Sequence, residues 1–247
     1  VEVRTGLGRI VMRHASGAVD ASWESGGTWT SPLGVPVPLS KAIAVGMAAC
    51  SADATGNDVR CANLRDQDPT VATYAAVTLP EPVIELAAGG DFSYEDTQCA
   101  RGASGAVRCW GFDTFGAAGI GQPSTKATPQ KVSALTATDL SVGADGTAVI
   151  SGGTLVEWGG SRAFGHDIVA GNVGLTPSTP LGAPGGLARV SLGNYGITAY
   201  LVPSSGALTC WEQDAAKPGA RLSPLTGTWQ DVVVGEVVDI GAHTSMG

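Results

Sequence analysis

Charged side chains are scarce in this sequence, because only 15% of its 247 residues are Asp, Glu, Lys or Arg. Long amphipathic helices need a solvated face rich in such residues, so this scarcity disfavours a helical protein. Aromatic residues are also few, at 6%, whereas there are 36 glycines and 14 prolines. That balance is typical of many short strands joined by tight turns. The 43% hydrophobic content is ordinary for a globular protein with a buried core.

Basic clusters and long apolar runs are missing as well. Fourteen Lys and Arg stand against 22 Asp and Glu, and the formal net charge is −8. A nucleic-acid surface needs clustered cations to neutralise phosphates, so we expect no nucleic-acid partner. No apolar run approaches the roughly 18 to 20 residues that span a bilayer, so we expect no transmembrane segment. The first residues do not resemble a signal peptide, and we expect that any such peptide has been removed.

Four of the five cysteines are spaced like structural disulfides. Cys50 precedes Cys61 by 11 residues, Cys99 precedes Cys109 by 10, and each pair flanks a Gly-containing turn. Two strands joined by a short turn place opposite Cα atoms about 4.5 to 5.5 Å apart, which suits a disulfide. We therefore predict the disulfides Cys50–Cys61 and Cys99–Cys109. A metal or catalytic role is the alternative, but there is no Cys-x-x-Cys and no histidine nearby.

The fifth cysteine, Cys210, has the same place in its own segment as Cys61 and Cys109. Its expected partner position, ten residues earlier, is Tyr200. We therefore predict that Cys210 is a free, buried thiol. The paired cysteines favour an oxidising location, which is extracellular, on the cell surface or in the periplasm.

Internal repetition is the dominant pattern of the chain. Five segments each contain a strand ending at a glycine, a second strand, a Gly or Asn turn, and a third strand that usually closes on tryptophan. The steps between the strand-ending glycines are 40, 43, 54 and 50 residues, which are blade lengths of a β-propeller. Those glycines are Gly6, Gly46, Gly89, Gly143 and Gly193. Val107 and Cys109 alternate with Arg108, and this period of two indicates strands rather than helices.

A sixth segment begins with Asp231-Val232-Val233-Val234-Gly235, and the sequence stops at Gly247 before a third strand. Either the missing strand comes from elsewhere or the chain is a fragment of a longer protein. We predict that the N-terminal strand and residues 231–246 close the ring, since an open ring leaves a sheet edge exposed. The predicted fold is one all-β propeller domain over 1–247 with about six blades of 40 to 54 residues. The predicted repeats are 1–40, 41–82, 83–136, 137–186, 187–228 and a partial 229–247.

The stretch from Val107 to Gly116, with the sequence VRCWGFDTFG, resembles a blade of the regulator of chromosome condensation repeat family. The resemblance covers most of the chain and is weak before residue 40. The second repeat departs from the pattern, since Ala62 replaces the tryptophan. The resemblance, to the bacterial, secreted type of this family, implies a β-propeller. The nuclear exchange-factor activity of the family is a poor fit, because an acidic chain with paired cysteines belongs outside the cytosol.

The tryptophans that recur in the repeat are predicted to pack between blades. Two further tryptophans, Trp29 and Trp229, lie outside that register and are candidates for surface contacts. The recurring ones are Trp23, Trp110, Trp158 and Trp211.

Residue patterns of catalysis and metal binding are missing from the sequence. There is no Gly-x-Ser-x-Gly, no Gly-Lys-Ser/Thr loop and no His-Glu-x-x-His. The histidines, His14, His166 and His243, fall in three different repeats. Glu95, Asp96 and Asp113 lack the regular spacing of a calcium loop and are predicted to be solvated loop acids. We therefore expect no enzyme activity, no cofactor and no resident metal.

Loops on one propeller face are the predicted binding surface, because a rigid scaffold presents its binding residues on loops. The candidates on this face follow the strand-ending glycines and are Phe92, Tyr94, Asp145 and Tyr195, with Arg9 and Met47 nearby. In the secreted family members that inhibit β-lactamases, comparable loops carry aromatic side chains that plug the target enzyme. We place Phe112, Asp113, Phe115, Arg162 and Phe164 on the opposite face.

These patterns predict a non-enzymatic extracellular module that binds a protein partner or serves as an assembly scaffold. A carbohydrate-binding lectin is one alternative, although its sugar sites would repeat in every blade and these loops differ. An enzyme inhibitor is the other alternative, and it follows from the resemblance.

Overall fold

All regular structure in the described part of the chain is β-strand. Short segments such as Gly146–Ser151 (GTAVIS) form strands because β-branched side chains fit a pleated, half-buried surface. The computed structural model describes residues 2–6, 9–25, 28–29, 33–34, 40–45, 48–63, 74–90, 97–113, 116–122, 126–143, 146–159, 174–179, 185–192, 197–202, 207–212, 231–234 and 240–243.

The strands form six antiparallel sheets, which we call blades 1 to 6, in chain order. Blade 1 contains β1 (Glu2–Gly6), β2 (Arg9–Arg13), β3 (Val19–Ser25), β4 (Thr28–Trp29) and β5 (Leu33–Gly34). Blade 2 contains β6 (Ser40–Val45), β7 (Ala48–Asp53), β8 (Val59–Asn63) and β9 (Ala75–Val77). Blade 3 contains β10 (Val83–Ala88), β11 (Thr97–Gly102), β12 (Val107–Gly111) and β13 (Lys126–Lys131).

The remaining three blades follow the same order of strands. Blade 4 contains β14 (Asp139–Val142), β15 (Gly146–Ser151), β16 (Thr154–Gly159) and β17 (Gly174–Ser178). Blade 5 contains β18 (Arg189–Leu192), β19 (Ile197–Val202) and β20 (Ala207–Glu212). Blade 6 contains β21 (Asp231–Val234) and β22 (Ile240–His243).

Contacts between first strands arrange the blades in a ring. β1 contacts β6, β6 contacts β10, β10 contacts β14, β14 contacts β18, and β18 contacts β21. β21 also contacts β1. This circular order is that of a β-propeller, so the predicted all-β propeller of about six blades is confirmed. The single-domain assignment and the repeat boundaries stay predictions.

The hydrophobic core is divided among the interfaces between neighbouring blades. Between blades 3 and 4, for example, Val107 and Val132 pack with Leu140 and Val149. Similar clusters fill the interfaces between blades 1 and 2, blades 2 and 3, and blades 4 and 5. Blades 2, 3 and 4 are therefore covered on both sides, which explains why neighbouring residues on one of their strands are buried together.

The tryptophans of the repeat pack against the preceding blade, as predicted, wherever their side chains are described. Trp110 of blade 3 lies in the cluster with Cys50 and Val59 of blade 2. Trp158 of blade 4 lies in the cluster with Cys109 of blade 3. The structure does not describe the side chains of Trp23, Trp29 and Trp211, or any part of Trp229.

Both predicted disulfides are present. Cys50 lies directly opposite Cys61, and Cys99 lies directly opposite Cys109. In each pair the two Cα atoms are 4.1 Å apart. Each disulfide therefore joins the second and third strands of one blade, close to the interface with a neighbouring blade.

The partner position predicted for Cys210 is wrong by one residue. Cys210 lies opposite Ala199, whereas Tyr200 lies opposite Thr209. The separation of 11 residues equals that of Cys50 and Cys61, because the turns in blades 2 and 5 have the same length. The side chain of Cys210 is outside the described residues, so its free thiol stays a prediction.

One hydrogen bond recurs between successive blades. The carbonyl oxygen of a glycine in the turn between the second and third strands accepts a hydrogen bond from a backbone N–H of the following blade. That N–H belongs to the residue six positions before the strand-ending glycine of the following blade. The three bonds are Val83 N to Gly56 O at 2.8 Å, Ala137 N to Gly105 O at 2.8 Å and Leu187 N to Gly153 O at 2.9 Å. All three glycines have positive φ, between 76° and 82°, which suits residues without a Cβ. We call these contacts the turn-strand bonds.

Candidate binding face

The loops after the first strands and the loops after the third strands leave the propeller at the same face. In blade 3 the Gly89 N–H donates to the Thr97 carbonyl at 3.0 Å, and Thr97 Oγ1 donates to the Phe112 carbonyl at 3.2 Å. The start of the second strand therefore lies beside the end of the third. We call this the loop face, and we call the opposite face, with the turns at Gly56, Gly105 and Gly153, the turn face.

The assignment of Phe112 and Asp113 to the opposite face is therefore wrong. The second and third strands of a blade are antiparallel, so the third strand returns to the face from which the second strand started. The other residues assigned with them, Phe115, Arg162 and Phe164, lie outside the described residues.

The four predicted binding residues, Phe92, Tyr94, Asp145 and Tyr195, also lie outside the described residues. The structure does describe the strands that their loops connect. Phe92 and Tyr94 belong to the connection from β10 to β11, Asp145 to that from β14 to β15, and Tyr195 to that from β18 to β19. These three connections start at the loop face of consecutive blades. Met47 is likewise not described, and Arg9 begins β2 in blade 1.

Phe112 is the exposed aromatic side chain of the described part of the loop face. Its exposed fraction is 42%, and among the residues whose side chains the structure describes no other large hydrophobic one is exposed. The next residue, Asp113, is buried, and its Oδ1 accepts a hydrogen bond from the Ala118 N–H at 3.1 Å. Asp113 thus stabilises the loop that follows Phe112, and the prediction that it is a solvated acid is wrong.

The loop after Phe112 packs against blade 4. The carbonyl oxygen of Ala117 accepts two hydrogen bonds, from Trp158 Nε1 at 2.7 Å and from Thr147 Oγ1 at 2.8 Å. All three residues are buried. The sequence analysis missed this contact, although the small residues of Gly116-Ala117-Ala118-Gly119 are typical of a close approach to a bulky side chain.

Two charged pairs lie towards the turn face, one within blade 3 and one between blades 4 and 5. Arg101 Nε lies 2.6 Å from Glu85 Oε2, and both side chains are largely buried. Arg189 Nη1 lies 2.8 Å from Asp139 Oδ1. Burial raises the pKa of Asp139 to about 7, and the nearby negative charge of Glu85 acts in the same direction.

Two other acids at the turn face, Glu81 and Asp53, have the opposite shift in pKa. Hydrogen bonds from the Ser104 hydroxyl and N–H, at 2.7 and 2.8 Å, lower the pKa of Glu81. The N–H groups of Asp58 and Asn57 and the Thr55 hydroxyl lower the pKa of Asp53. These carboxylates hold loops in shape by accepting hydrogen bonds.

The remaining chemistry of the described residues is sparse. His14 Nε2 lies 2.7 Å from Asp20 Oδ2 within blade 1. Within the described ranges, no three His, Cys, Asp or Glu side chains are grouped as a metal site would require. No helix long and apolar enough to cross a membrane is found in them either.

The ring of antiparallel blades, with a loop face and a turn face, defines a β-propeller. The sequence matches no protein-family model, and no curated protein matches it significantly. The structure is similar to that of human WBSCR16, with a TM-score of 0.71 and 15% identity over 94% of this chain and 71% of that chain. It is also similar to Prp20p of Saccharomyces cerevisiae, with a TM-score of 0.71 and 14% identity over 96% of this chain and 66% of that chain.

Two further structures extend the comparison. Prp20, the yeast RCC1, in its complex with Kap60 has a TM-score of 0.69 and 14% identity, over 92% of this chain and 62% of that chain. A chain of a nidogen–laminin complex has a TM-score of 0.56 and 9% identity, over 95% of this chain and 84% of that chain. The present chain thus has an RCC1-like propeller fold, and it spans about two thirds of the length of the Prp20 chains. Prp20 binds Kap60 in that complex, and its binding to Gsp1p and histones has been described.

Proposed function

We propose that this chain is a non-enzymatic scaffold that binds a protein partner through its loop face. The observation that carries the proposal is that the loops after the first strands and the loops after the third strands both start at that face. The connections with Phe92, Tyr94 and Tyr195 and the segment with the exposed Phe112 all start there. Exposed aromatic side chains are typical anchors of protein interfaces.

The fold supports the same proposal, since propellers of this type present loops on a rigid ring. Prp20, which has a similar fold, binds proteins. The contact of the Ala117 carbonyl with Trp158 and Thr147 holds the Phe112 segment against the next blade. A surface fixed in this way loses little conformational entropy when it binds.

We also propose that the protein works in an oxidising compartment, extracellular, on the cell surface or in the periplasm of a bacterium. The two disulfides support this location, because disulfides are rare in reducing compartments. The acidic net charge of −8 agrees with a partner that is not a nucleic acid.

A pull-down from extracellular extract tests the proposed face. The test variant changes Phe92, Tyr94, Phe112 and Tyr195 to Ser, and the matched control changes the exposed turn-face residues Ala15, Ala54 and Ala103 to Ser. We expect the wild type and the control to retain the same protein band and the test variant to lose it. The melting temperatures of all three should agree within a few degrees.

Other outcomes contradict the proposal. Elution of the retained chain by free sugars, without any co-purified protein, would show a lectin. Loss of binding in the turn-face control alone would place the interface on the other face. A large loss of stability in the test variant would show that those aromatic rings belong to the core.

A further inference from the structure

The Cys99–Cys109 disulfide of blade 3 lies beside the residues that attach the loop after Phe112. Cys109 precedes Phe112 by three residues, and Cys99 follows Thr97, whose Oγ1 donates to the Phe112 carbonyl, by two. Both cysteines are 0% exposed, in a cluster that also contains Trp158 of blade 4. The disulfide is therefore buried where blade 3, its loop and blade 4 meet.

The disulfide joins β11 and β12 at a position where their backbones do not join them. The Cα atoms of Cys99 and Cys109 are 4.1 Å apart, which is close to the spacing of a non-hydrogen-bonded pair. Such pairs recur at every second residue, so Thr97 and Gly111, at the end of the ladder, form another one. The Thr97 carbonyl accepts from the Gly89 N–H instead. The disulfide thus supplies a link between the two strands just below the loop.

One sulfur atom of this disulfide also contacts blade 4. Cys99 Sγ lies 3.9 Å from Thr147 Oγ1, and this hydroxyl donates to the Ala117 carbonyl at 2.8 Å. Thr147 lies directly opposite Trp158, whose Nε1 donates to the same carbonyl at 2.7 Å. The disulfide therefore packs against one of the two donors that hold the loop.

We propose that the Cys99–Cys109 disulfide is a redox lock on the loop after Phe112. In the oxidised chain the loop is held against blade 4, and in the reduced chain it is released. The proposal rests on the proposed function in one respect, since it states when the loop face is ready to bind. The other disulfide, Cys50–Cys61, lies in blade 2 and does not contact this loop.

Closing the lock is a two-electron oxidation by thiol–disulfide exchange. One cysteine thiolate attacks a sulfur atom of an oxidant that carries a disulfide, and a thiolate of the oxidant leaves. The second cysteine thiolate then attacks the bound cysteine sulfur, and the oxidant is released as a dithiol that holds the two electrons and the two protons. Because Cys99 and Cys109 are 0% exposed in the folded ring, this exchange precedes the packing of blade 4 against blade 3. The loop is then ordered only in a chain that has reached an oxidising compartment.

Amide hydrogen exchange on the full chain, followed by mass spectrometry, tests the lock. The test variant is Cys99→Ala/Cys109→Ala, and the matched control is Cys50→Ala/Cys61→Ala, which removes the other disulfide. We expect exchange at residues 116–121 to be about tenfold faster in the test variant and unchanged in the control. Exchange of β15 should stay slow in both. The wild-type chain folded with dithiothreitol should behave like the test variant.

Two results overturn the lock. One is equal exchange at residues 116–121 in the test variant and in the oxidised wild type. The other is loss of protection in β15 together with the loop, because the disulfide then stabilises the whole ring and not this loop in particular. The pull-down described above, repeated with the test variant, separates the lock from the proposed function. Faster loop exchange with a retained protein band supports the lock and contradicts the proposed binding face.

Discussion

Gly119 of blade 3 lies so close to Trp158 of blade 4 that a Cβ atom at residue 119 would be 2.5 Å from the indole Nε1. The φ angle of Gly119 is +67°, a conformation that L side chains adopt only with strain. The absence of a side chain there allows the indole to reach the Ala117 carbonyl. One glycine thus determines how the loop after Phe112 is attached to the next blade.

We predict that Gly119→Ala destabilises the protein by about 2 to 4 kcal/mol, because backbone strain adds to displacement of a buried tryptophan. Gly152→Ala is the matched control, since its φ is +58° and no atom lies within 4 Å of the added Cβ. The control should lose only about 1 to 2 kcal/mol, from strain alone. Urea unfolding followed by tryptophan fluorescence measures both values, and equal losses would contradict the role of Trp158.

We predict that Ala199→Cys forms a third disulfide with Cys210. The pair has the same directly opposite position between the second and third strands as Cys99 and Cys109. The new disulfide closes a short loop and should stabilise the chain by about 2 to 3 kcal/mol. Thiol titration of the denatured, unreduced protein should return one free thiol for the wild type and none for the variant.

The control for this prediction is Tyr200→Cys, which lies opposite Thr209 instead of Cys210. It should leave two free thiols. A disulfide in Tyr200→Cys but not in Ala199→Cys would contradict the register of β19 and β20.

We predict that mild reduction of the folded protein opens Cys50–Cys61 before Cys99–Cys109. Both cysteines of the second pair are 0% exposed, whereas Cys61 is partly exposed, and a thiolate must reach a sulfur to attack it. Alkylation at short times, followed by peptide mass spectrometry, should label Cys50 and Cys61 first. Simultaneous labelling of all four cysteines would show instead that reduction requires global unfolding.

The strands and both disulfides could be predicted because each depends on residues close in sequence. The alternation of apolar residues with the charged Arg108, together with a glycine turn, defines a hairpin. That hairpin places Cys99 opposite Cys109. The register in blade 5 could not be fixed in this way. One additional residue in the turn between β19 and β20 moves the partner of Cys210 from Tyr200 to Ala199. A glycine in the sequence marks the turn but does not show how many residues the turn contains.

The candidate face was predicted only in part. The face on which Phe112 lies could be predicted only by following the direction of every strand through the whole blade. Each antiparallel strand carries the chain from one face of the propeller to the other. The contacts of Trp158 with Ala117 and of Asp139 with Val190 join residues 41 and 51 positions apart in different blades. Such contacts depend on how blades pack, and no local pattern encodes them.

The turn-strand bonds make each blade dependent on its successor. The carbonyl oxygens of Gly56, Gly105 and Gly153 find their partners in the following blade, while Trp110 and Trp158 are buried against the preceding one. A blade cut out of the ring would expose an indole on one side and leave a turn carbonyl without its donor on the other. Each of these blades is therefore completed by contacts with both of its neighbours, and the ring supplies those contacts at every interface where they are described.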